Sequence, residues 1–376
     1  MGTQPRVSAP TKAALLVCLL ATACGGGNNV ASQTPSVTSA TAQPSVSAQA
    51  SASPSSSPVP VTVPYGLLVG SQAAGTYSVT IVGADGKVAA TAETGTPPVA
   101  SCGNVAGAPV PLPVSTSNSR AYFMDGQGVV RFLAPNGDTG RATAVPASTA
   151  SRRSIFAVSP DDRRVAVEVA DYTLSGASTR LYVEDLNGGG NHLNLFTQTG
   201  SRTLWPVGWR GTNNLVLAVV ASCTQGGGPF CCGPLELHVV DPATATRRFT
   251  LGNAASCLIA GSPSPAGVAC ESTSFTQATV LNWTAGTVRT LAINGPSFIY
   301  VSPTGSMIAM VDNTGTSFTI GAATINGMFA CEWIDDTHVL SGGDPQHQPR
   351  VAEVINGTIV PVPAQGDCGG RIPGGF

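Results

Sequence analysis

A hairpin-like pattern recurs along the chain and restricts its fold more than any other feature. Three segments align without gaps: SPDDRRVAV from Ser159, SPSPAGVAC from Ser262 and SPTGSMIAM from Ser302. Two more keep the spacing with Trp in place of Ser: WRGTNNLVL from Trp209 and WIDDTHVLS from Trp333. Pro, Asp, Asn and Gly favour turns, and the apolar residues after them fit a strand. Each segment therefore predicts a turn that joins an inner strand to its neighbour.

A second type of hairpin occurs seven times. These hairpins read YSVTIVGADGKVAATA, GVVRFLAPNGDTGRATAV, TRLYVEDLNGGGNHLNLF, LELHVVDPATATRRFTLG, ATVLNWTAGTVRTLA, SFTIGAATINGM and RVAEVINGTIVPVP. Two hairpins make a four-stranded blade, and the 312 residues of 65–376 give each of seven blades about 45 residues, close to the usual blade period. No segment shows a sustained helical period. The sequence predicts an all-β fold, a β-propeller of seven four-stranded blades.

One stretch carries a resemblance to a known family. FAVSPDDRRVAVEVADYTLSGASTRLYVEDLNGGG resembles the WD40-like repeat of TolB-type β-propellers, whose core is Ser-Pro-Asp-Gly-x-x-hydrophobic-Ala. Asp162 stands at the glycine position, which Gly305 fills in the copy at Ser302. The resemblance covers most of residues 65–376 as a degenerate repeat. It implies the propeller architecture and, by analogy alone, an accessory role in an envelope complex.

The start of the chain predicts export and a lipid anchor. The apolar run at residues 13–23 follows two basic residues; a membrane span needs about 20 apolar residues, so the run fits a secretory signal instead. With Cys24 behind it, the segment resembles a bacterial lipoprotein signal. The resemblance implies a signal peptide over 1–23, a palmitate-bearing lipid on Cys24, and anchoring on the extracytoplasmic side of the bacterial membrane. An ordinary signal peptide that leaves Cys24 unmodified is the alternative.

The next segment predicts a tether. Residues 25–64 contain no charged and no aromatic residue, and they are rich in Ser, Ala, Pro and Thr. Such a composition cannot bury a core, so residues 24–64 are predicted to be disordered. A flexible chain of this length has a mean reach of roughly 35 Å. The predicted organisation is a signal peptide at 1–23, a tether at 24–64 and a propeller at 65–376.

Eight cysteines remain once Cys18 and Cys24 are set aside, and an even number in an exported chain predicts disulfides. A zinc site is the alternative, but its Cys-x2-Cys spacing and clustered histidines are missing. One pair of cysteines flanks a hairpin of the fifth unit, a second brackets the seventh, and others lie in the loop at 222–234. The predicted bonds are Cys257 with Cys270, Cys331 with Cys368, Cys223 with Cys231 or Cys232, and Cys102 with the remaining cysteine of that last pair.

Charge argues against nucleic acid as a partner. The formal net charge is −2, and removal of residues 1–23 with their two basic side chains leaves −4. Nucleic acid binding needs a clustered basic surface that displaces counterions. The arginine pairs are scattered along the chain instead. We therefore expect no nucleic acid partner.

The chain carries no recognisable catalytic motif. Gly-x-Ser-x-Gly, His-Glu-x-x-His, a phosphate loop and a dinucleotide fingerprint are all missing from the sequence. The carboxylates of SPDD at 159–162 and IDDTH at 334–338 fit hairpin turns better than acid–base or metal chemistry. The tryptophans could line a ligand channel, but Trp209 and Trp333 occupy the motif position of their blades, and this favours packing between blades. The residues expected on the inner strands, around the channel, are mainly Phe, Val, Ile, Trp and Ser, and Glu332 is the one charged exception. The four tryptophans are Trp205, Trp209, Trp283 and Trp333. The sequence assigns no catalytic, cofactor-binding or metal-binding residue.

These observations favour binding over catalysis. Propellers present rigid loops on two faces, and binding requires no special set of side chains. We therefore expect a cell-envelope lipoprotein whose propeller is a non-enzymatic binding or scaffolding module for a protein, peptide or glycan. The alternative is a propeller enzyme, lactonase-, quinoprotein- or cyclotransferase-like, with an ion or cofactor in the central channel.

Overall fold

The computed structural model describes residues 57–71, 75–100, 112–173, 176–221, 236–311, 317–343 and 347–376. Within these ranges the chain forms 28 strands and no α-helix. The strands make seven four-stranded antiparallel sheets, each of which is one blade. The predicted seven-bladed all-β propeller is confirmed. Several predicted features lie outside the described residues: the signal peptide, the tether up to residue 56, Cys24, Cys102, Cys223, Cys231 and Cys232.

The strands follow one another blade by blade. The first three blades contain β1 (Tyr65–Ser71), β2 (Thr76–Gly83) and β3 (Val88–Gly95); β4 (Val114–Thr116), β5 (Ala121–Met124), β6 (Val129–Leu133) and β7 (Thr139–Ala144); and β8 (Arg152–Val158), β9 (Arg164–Thr173), β10 (Gly176–Asp185) and β11 (Leu193–Gly200). The fourth and fifth contain β12 (Arg202–Arg210), β13 (Asn214–Ala221), β14 (Glu236–Val240) and β15 (Arg247–Leu251); and β16 (Leu258–Ile259), β17 (Val268–Glu271), β18 (Gln277–Leu281) and β19 (Thr287–Ala292). The sixth and seventh contain β20 (Phe298–Val301), β21 (Ile308–Val311), β22 (Ser317–Ile320) and β23 (Ala323–Asn326); and β24 (Ala330–Trp333), β25 (His338–Ser341), β26 (Arg350–Glu353) and β27 (Thr358–Pro361). The last strand, β28 (Asp367–Ile372), completes the first blade.

The innermost strand of each blade lies on the central channel. From the second blade to the seventh it is the blade's first strand, and in the first blade it is β28. Inner strands of adjacent blades contact one another: β24 with β28, β28 with β4, β4 with β8, and β8 with β12. These strands form the wall of the channel.

The end of the chain closes the ring. β28 pairs with β1, so that Cys368 lies opposite Leu68 and Ile372 opposite Tyr65. The first blade thus combines three strands from the start of the propeller with one from its end. Because β28 follows the seventh blade in the chain, its backbone hydrogen bonds to β1 join the chain that leaves the seventh blade to the first blade.

Two of the predicted disulfides are present. Cys257 bonds to Cys270 within the fifth blade, with a Cα–Cα distance of 5.1 Å. Cys331 bonds to Cys368 with a Cα–Cα distance of 5.9 Å. The second bond does more than bracket the seventh unit, because Cys368 lies on the inner strand of the first blade. It joins two blades across the closing joint of the ring.

The predicted outer hairpins form for local reasons. In the turn between β2 and β3, Gly86 adopts a φ of +75°, and Gly357 does the same between β26 and β27. Such angles suit glycine, which carries no Cβ. Asp85 also accepts a hydrogen bond from the backbone N–H of Lys87 at 3.1 Å. Turn chemistry of this kind makes hairpins readable from sequence.

The hydrophobic core lies between blades. Separate apolar clusters fill all seven interfaces, from the first and second blades round to the seventh and first. At the last of these, Leu68 and Val82 pack against Ile334, Leu340 and Val351. Each blade is therefore stabilised chiefly by its neighbours, and a rigid ring surrounds the channel.

Candidate functional site at the mouth of the channel

The two ends of the central channel differ in structure. At one end, which we call the mouth, the inner strands begin, and the connections between blades and the loops between second and third strands lie there. At the other, the closed end, the inner strands finish in the tight turns that carry the Ser-Pro and Trp motifs. The two ends therefore offer a ligand different surfaces.

Residues 373–376 cross the closed end. The backbone N–H of Gly374 donates to the carbonyl of Ser117 in the second blade at 2.6 Å, and that of Phe376 donates to the carbonyl of Trp209 in the fourth at 2.7 Å. The Phe376 ring then stacks on Trp283 of the fifth blade, with centroids 5.2 Å apart. This segment runs across the channel and covers part of that end.

Residues 61–64 lie at the closed end as well. Val61 donates its backbone N–H to the carbonyl of Asn118 at 2.9 Å. Val61 and Thr62 also line a small cavity of about 210 Å³ there, together with Asp336 and Arg371. The described segments that flank the strands of the propeller therefore both lie away from the mouth.

A larger pocket opens at the mouth. Its volume is about 390 Å³, and residues of the first three blades and of the loop before β28 line it. Most of the lining is apolar: Val69, Tyr77, Leu112, Met124, Ile155 and Phe156. The hydroxyl of Tyr77 donates to the backbone carbonyl of Met124 at 2.6 Å, which ties the first blade to the second beside the pocket. The volume and lining are typical of small-ligand and side-chain pockets.

Arg153, on β8, is a charged residue in this apolar lining. Only 1% of its surface is exposed. Its guanidinium lies 4.8 Å from the ring centroid of Trp205 and 5.1 Å from that of Tyr172. Aromatic faces attract a desolvated cation, so the two rings hold the guanidinium in place between the third and fourth blades.

Glu168 lies behind Arg153, on the second strand of the same blade. It is fully buried, and its Oε1 accepts a hydrogen bond from the hydroxyl of Thr203 at 2.6 Å. Burial raises the pKa of Glu168 to about 7, while the Thr203 hydrogen bond and the charge of Arg153 act in the opposite direction. Among the described residues, Oε2 of Glu168 has no hydrogen-bond partner. The carboxyl is therefore close to balance between its charged and neutral forms near neutral pH.

A second charged pair lies toward the closed end. Glu332 on β24 is half-buried. The protein that surrounds its carboxyl excludes water and raises the pKa of Glu332 to about 7. Arg371 on β28 opposes that shift, and burial lowers the pKa of Arg371. The expectation that Glu332 is the one exception on apolar inner strands is wrong, since Arg153 and Arg371 also lie there. The two pairs occupy different ends of the channel and form no single constellation.

The motif carboxylates join turns of neighbouring blades. Asp162 accepts hydrogen bonds from the hydroxyls of Ser119 at 2.8 Å and Tyr122 at 2.6 Å, both in the preceding blade. Asp336 likewise accepts from the backbone N–H of Thr304 at 2.9 Å. The structure thus places both motifs in turns, as predicted, and gives them a structural role between blades.

Three of the four tryptophans donate a hydrogen bond from the indole N–H to a backbone carbonyl. Trp209 donates to the carbonyl of Ala157 and Trp333 to that of Tyr300, each in the preceding blade. Trp283 donates to the carbonyl of Ser264 within its own blade at 3.0 Å. Trp205 differs, because among the described residues its Nε1 has no hydrogen-bond partner and its ring faces Arg153. Packing between blades is confirmed for Trp209 and Trp333.

The sequence motifs do not point to Arg153 and Glu168 as residues of the channel. In the sequence, Arg153 is one of two adjacent arginines, and such pairs are scattered along the chain. Glu168 interrupts VAVEVA, a run that is otherwise small and apolar. A charge in the middle of such a strand signals a buried ionisable group, because an unpaired buried charge is costly. The sequence therefore marks Glu168 as a buried ionisable residue, but it does not show that Thr203 of the next blade is its hydrogen-bond partner.

The chain has no match among protein-family models or curated proteins. Matching solved structures include the dihydro-heme d1 dehydrogenase NirN in complex with DHE, at 13% identity, with 82% of this chain and 75% of that chain covered and a TM-score of 0.48. BamB from Moraxella catarrhalis matches at 15% identity, covering 81% and 83%, with a TM-score of 0.40. A protein described as TolB, from Agrobacterium tumefaciens, matches at 11% identity, covering 68% and 82%, with a TM-score of 0.36. At these values they give no guide to activity.

The described residues contain no group of three or more His, Cys, Asp or Glu side chains placed to hold a metal ion. None of the described residues form a helix that is long and apolar enough to cross a membrane.

Proposed function

We propose that the chain is an exported lipoprotein, anchored through Cys24, whose propeller binds a protein, peptide or glycan partner at the mouth pocket without catalysing a reaction. The observation that carries this proposal is the pocket itself: about 390 Å³, mostly apolar, and built on a closed ring of blades. Apolar concave surfaces on rigid frames are the usual places where proteins take a ligand or an anchoring side chain.

The position of the flanking segments supports this proposal. Residues 61–64 and 373–376 both lie at the closed end, on the side of the channel opposite the pocket. A tether that leads from Cys24 to residue 57 therefore reaches the propeller away from the pocket. A partner in the envelope can meet the mouth while the chain stays anchored.

The arrangement of charges favours binding over the enzyme alternative. A carboxyl whose pKa is about 7 suits acid–base catalysis, and Glu168 has such a pKa. However, Glu168 is fully buried and does not line the pocket. Glu332, the other carboxyl of this kind, lies toward the opposite end of the channel. The two do not converge on one place where a substrate could sit.

The test is affinity capture with a pocket-specific control. Lys87 and Lys12 are the only lysines of the chain, and Lys87 lies in a turn at the closed end with 84% of its side chain exposed. Coupling the oxidised full chain to beads through Lys87 leaves the mouth free. Extracts of the producing cell's envelope and medium are passed over the beads, and bound proteins and glycans are identified by mass spectrometry.

Two valine variants show whether a captured partner uses the pocket. Val99 lines the pocket and is 61% exposed, whereas Val288 on β19 is 59% exposed and lies on the outer strand of the fifth blade. Val99→Trp should fill the mouth and abolish capture, while Val288→Trp should leave it intact. A partner retained equally by both variants, or no partner above blank beads, would overturn the proposal.

A further inference from the structure

The outer strand of each blade is the edge of a sheet. Each blade pairs this strand on one side only, so one row of its backbone N–H and C=O groups faces away from the blade. Such an edge can pair with a strand of another molecule, and soluble proteins prevent this with charged side chains, proline or a very short edge strand. The outer strands of the seven blades can be compared for these protections.

Six of the seven outer strands are protected. Two of them, β23 and β27, have only four residues each, and β27 also ends in Pro361. The other four contain charged residues: Glu93 in β3, Arg141 in β7, Arg247 and Arg248 in β15, and Arg289 in β19. An added strand would pair poorly with each of these six edges.

The outer strand of the third blade, β11, has none of these protections. Its eight residues, Leu-Asn-Leu-Phe-Thr-Gln-Thr-Gly, include no charge and no proline. Among the described residues it pairs only with β10, and a bulge at Leu195 leaves residues 196–200 as the regular part of the edge. Thr197 and Thr199 are exposed there, and Leu193 is 40% exposed. This edge is therefore open to a further strand.

We propose that β11 pairs with β11 of a second copy of this chain, so that two propellers associate edge to edge. A two-fold axis perpendicular to the sheet makes the two strands antiparallel and joins the two third blades into one continuous sheet. The inference goes beyond the proposed function, because it uses neither the mouth pocket nor the partner that binds there.

The charges on and around β11 favour a second copy as the occupant. In a two-fold pairing, a charged residue near the axis would meet its own counterpart, and β11 has no such residue. Asp185 accepts a hydrogen bond from Asn191, two residues before the strand, and the exposed Arg202 comes two residues after it. Antiparallel pairing brings the start of one strand beside the end of the other. A neutral strand with an acidic and a basic end therefore complements itself.

The association is tested by sedimentation velocity of the oxidised full chain. A short edge buries less than a standard interface, so the native chain should pass from monomer to dimer between about 1 and 200 μM. Thr197→Glu should weaken this association about tenfold or more, because it places two carboxylates near the axis. Thr197 lies opposite Arg180 on β10, so within one copy the new carboxylate meets a cation and the variant should fold.

Thr290→Glu is the matched control. Thr290 is also an exposed threonine on an outer strand, in β19 of the fifth blade, and it lies beside Arg289. The change adds the same charge to the chain but leaves the edge of β11 intact. Self-association should therefore equal that of the native chain.

A mixture of two variants tests the pairing of β11 with itself. Thr197→Lys should also weaken self-association, because like charges meet near the axis. An equal mixture of the Thr197→Glu and Thr197→Lys chains should associate again, since opposite charges now meet there. A contact through another face would give no such rescue, so a mixture that stays monomeric would contradict the proposal.

The remaining outcomes also decide the question. A native chain that stays monomeric at every concentration overturns the proposal, and a dimer that Thr197→Glu leaves unchanged shows that another face is responsible. If the native chain is monomeric and Thr197→Glu loses a captured partner, the edge binds a foreign strand and the second copy is wrong. Val99→Trp at the mouth should leave self-association unchanged, so this inference and the proposed function can fail separately.

Discussion

The indole Nε1 of Trp209 donates to the carbonyl oxygen of Ala157 at 2.9 Å and so ties the fourth blade to the inner strand of the third. Trp333 and Tyr300 repeat this bond at 2.9 Å between the seventh blade and the sixth. In both cases a blade with the Trp form of the motif follows a blade with the Ser-Pro form. The acceptor lies two residues before the serine each time. The two forms of the repeat therefore act together at the interface between blades.

Replacing Trp209 should show the strength of this tie. Trp209→Phe leaves the carbonyl of Ala157 without its indole donor in a buried place, which costs about 1–3 kcal/mol. Trp205→Phe is the control, since Trp205 is equally buried but among the described residues its Nε1 has no partner. Urea denaturation should show the larger loss for Trp209→Phe. A larger loss for Trp205→Phe would mean that ring packing, and not the hydrogen bond, fastens the blades.

The disulfide between Cys331 and Cys368 should stabilise the ring more than the one between Cys257 and Cys270. It spans 37 residues against 13 and crosses from one blade to the next. Loop-closure entropy alone gives about 3–4 kcal/mol for a loop of that length. Changing both Cys331 and Cys368 to Ser should lower the melting temperature more than the same change at the other pair.

Reducing agent gives the control for this prediction. A dithiol should lower the melting temperature of the native chain more than that of the chain without both pairs, which retains only the predicted bonds of Cys102, Cys223, Cys231 and Cys232. An unchanged melting curve for Cys368→Ser under oxidising conditions would show that β28 holds the ring closed without the bond.

The closed end allows a double-mutant test. A Cβ at Gly208 would overlap the ring of Phe376, which stacks on Trp283. Phe376→Ala and Gly208→Ala should each lower the free energy of unfolding by about 1–3 kcal/mol, the first through lost burial and the second through overlap. Gly208→Ala should cost much less once Phe376 is already Ala, because the overlap has gone. Additive losses would show that the ring does not occupy this place in solution.

Local chemistry explains what the sequence predicted well. The Ser-Pro turns, the Asn-Gly and Asp-Gly hairpins and the blade count depend on residues close together in the chain, and the Cys257–Cys270 bond spans one such hairpin. These features follow from turn preferences and spacing. They specify the propeller before any contact between blades is known.

The candidate site could not be predicted in the same way. Arg153 meets Trp205 and Glu168 meets Thr203 across two blades, at separations in sequence that no local pattern encodes. The same holds for the pairing of β28 with β1, which gives Cys368 to the first blade. Channel residues are brought together only when the ring closes. A charge inside an apolar strand marks such a residue but does not reveal its partner.

The pKa of Glu168 predicts how stability depends on pH. Burial raises this pKa from 4.5 to about 7 in the folded chain, so the folded state holds a proton that the unfolded state releases. The contribution is fully present below about pH 4.5 and is lost as pH rises through about 7, with a size on the order of 3 kcal/mol. Glu168→Gln, which resembles the protonated acid, should come within about 1 kcal/mol of the native chain at pH 5 and exceed its free energy of unfolding by more at pH 8. Glu93→Gln, at an exposed position on β3, is the control and should leave the native profile in place. Urea titrations at the two pH values measure the difference. If Glu168→Gln is less stable than the native chain at pH 8, the attraction between the charged carboxylate and Arg153 outweighs the cost of burying that charge.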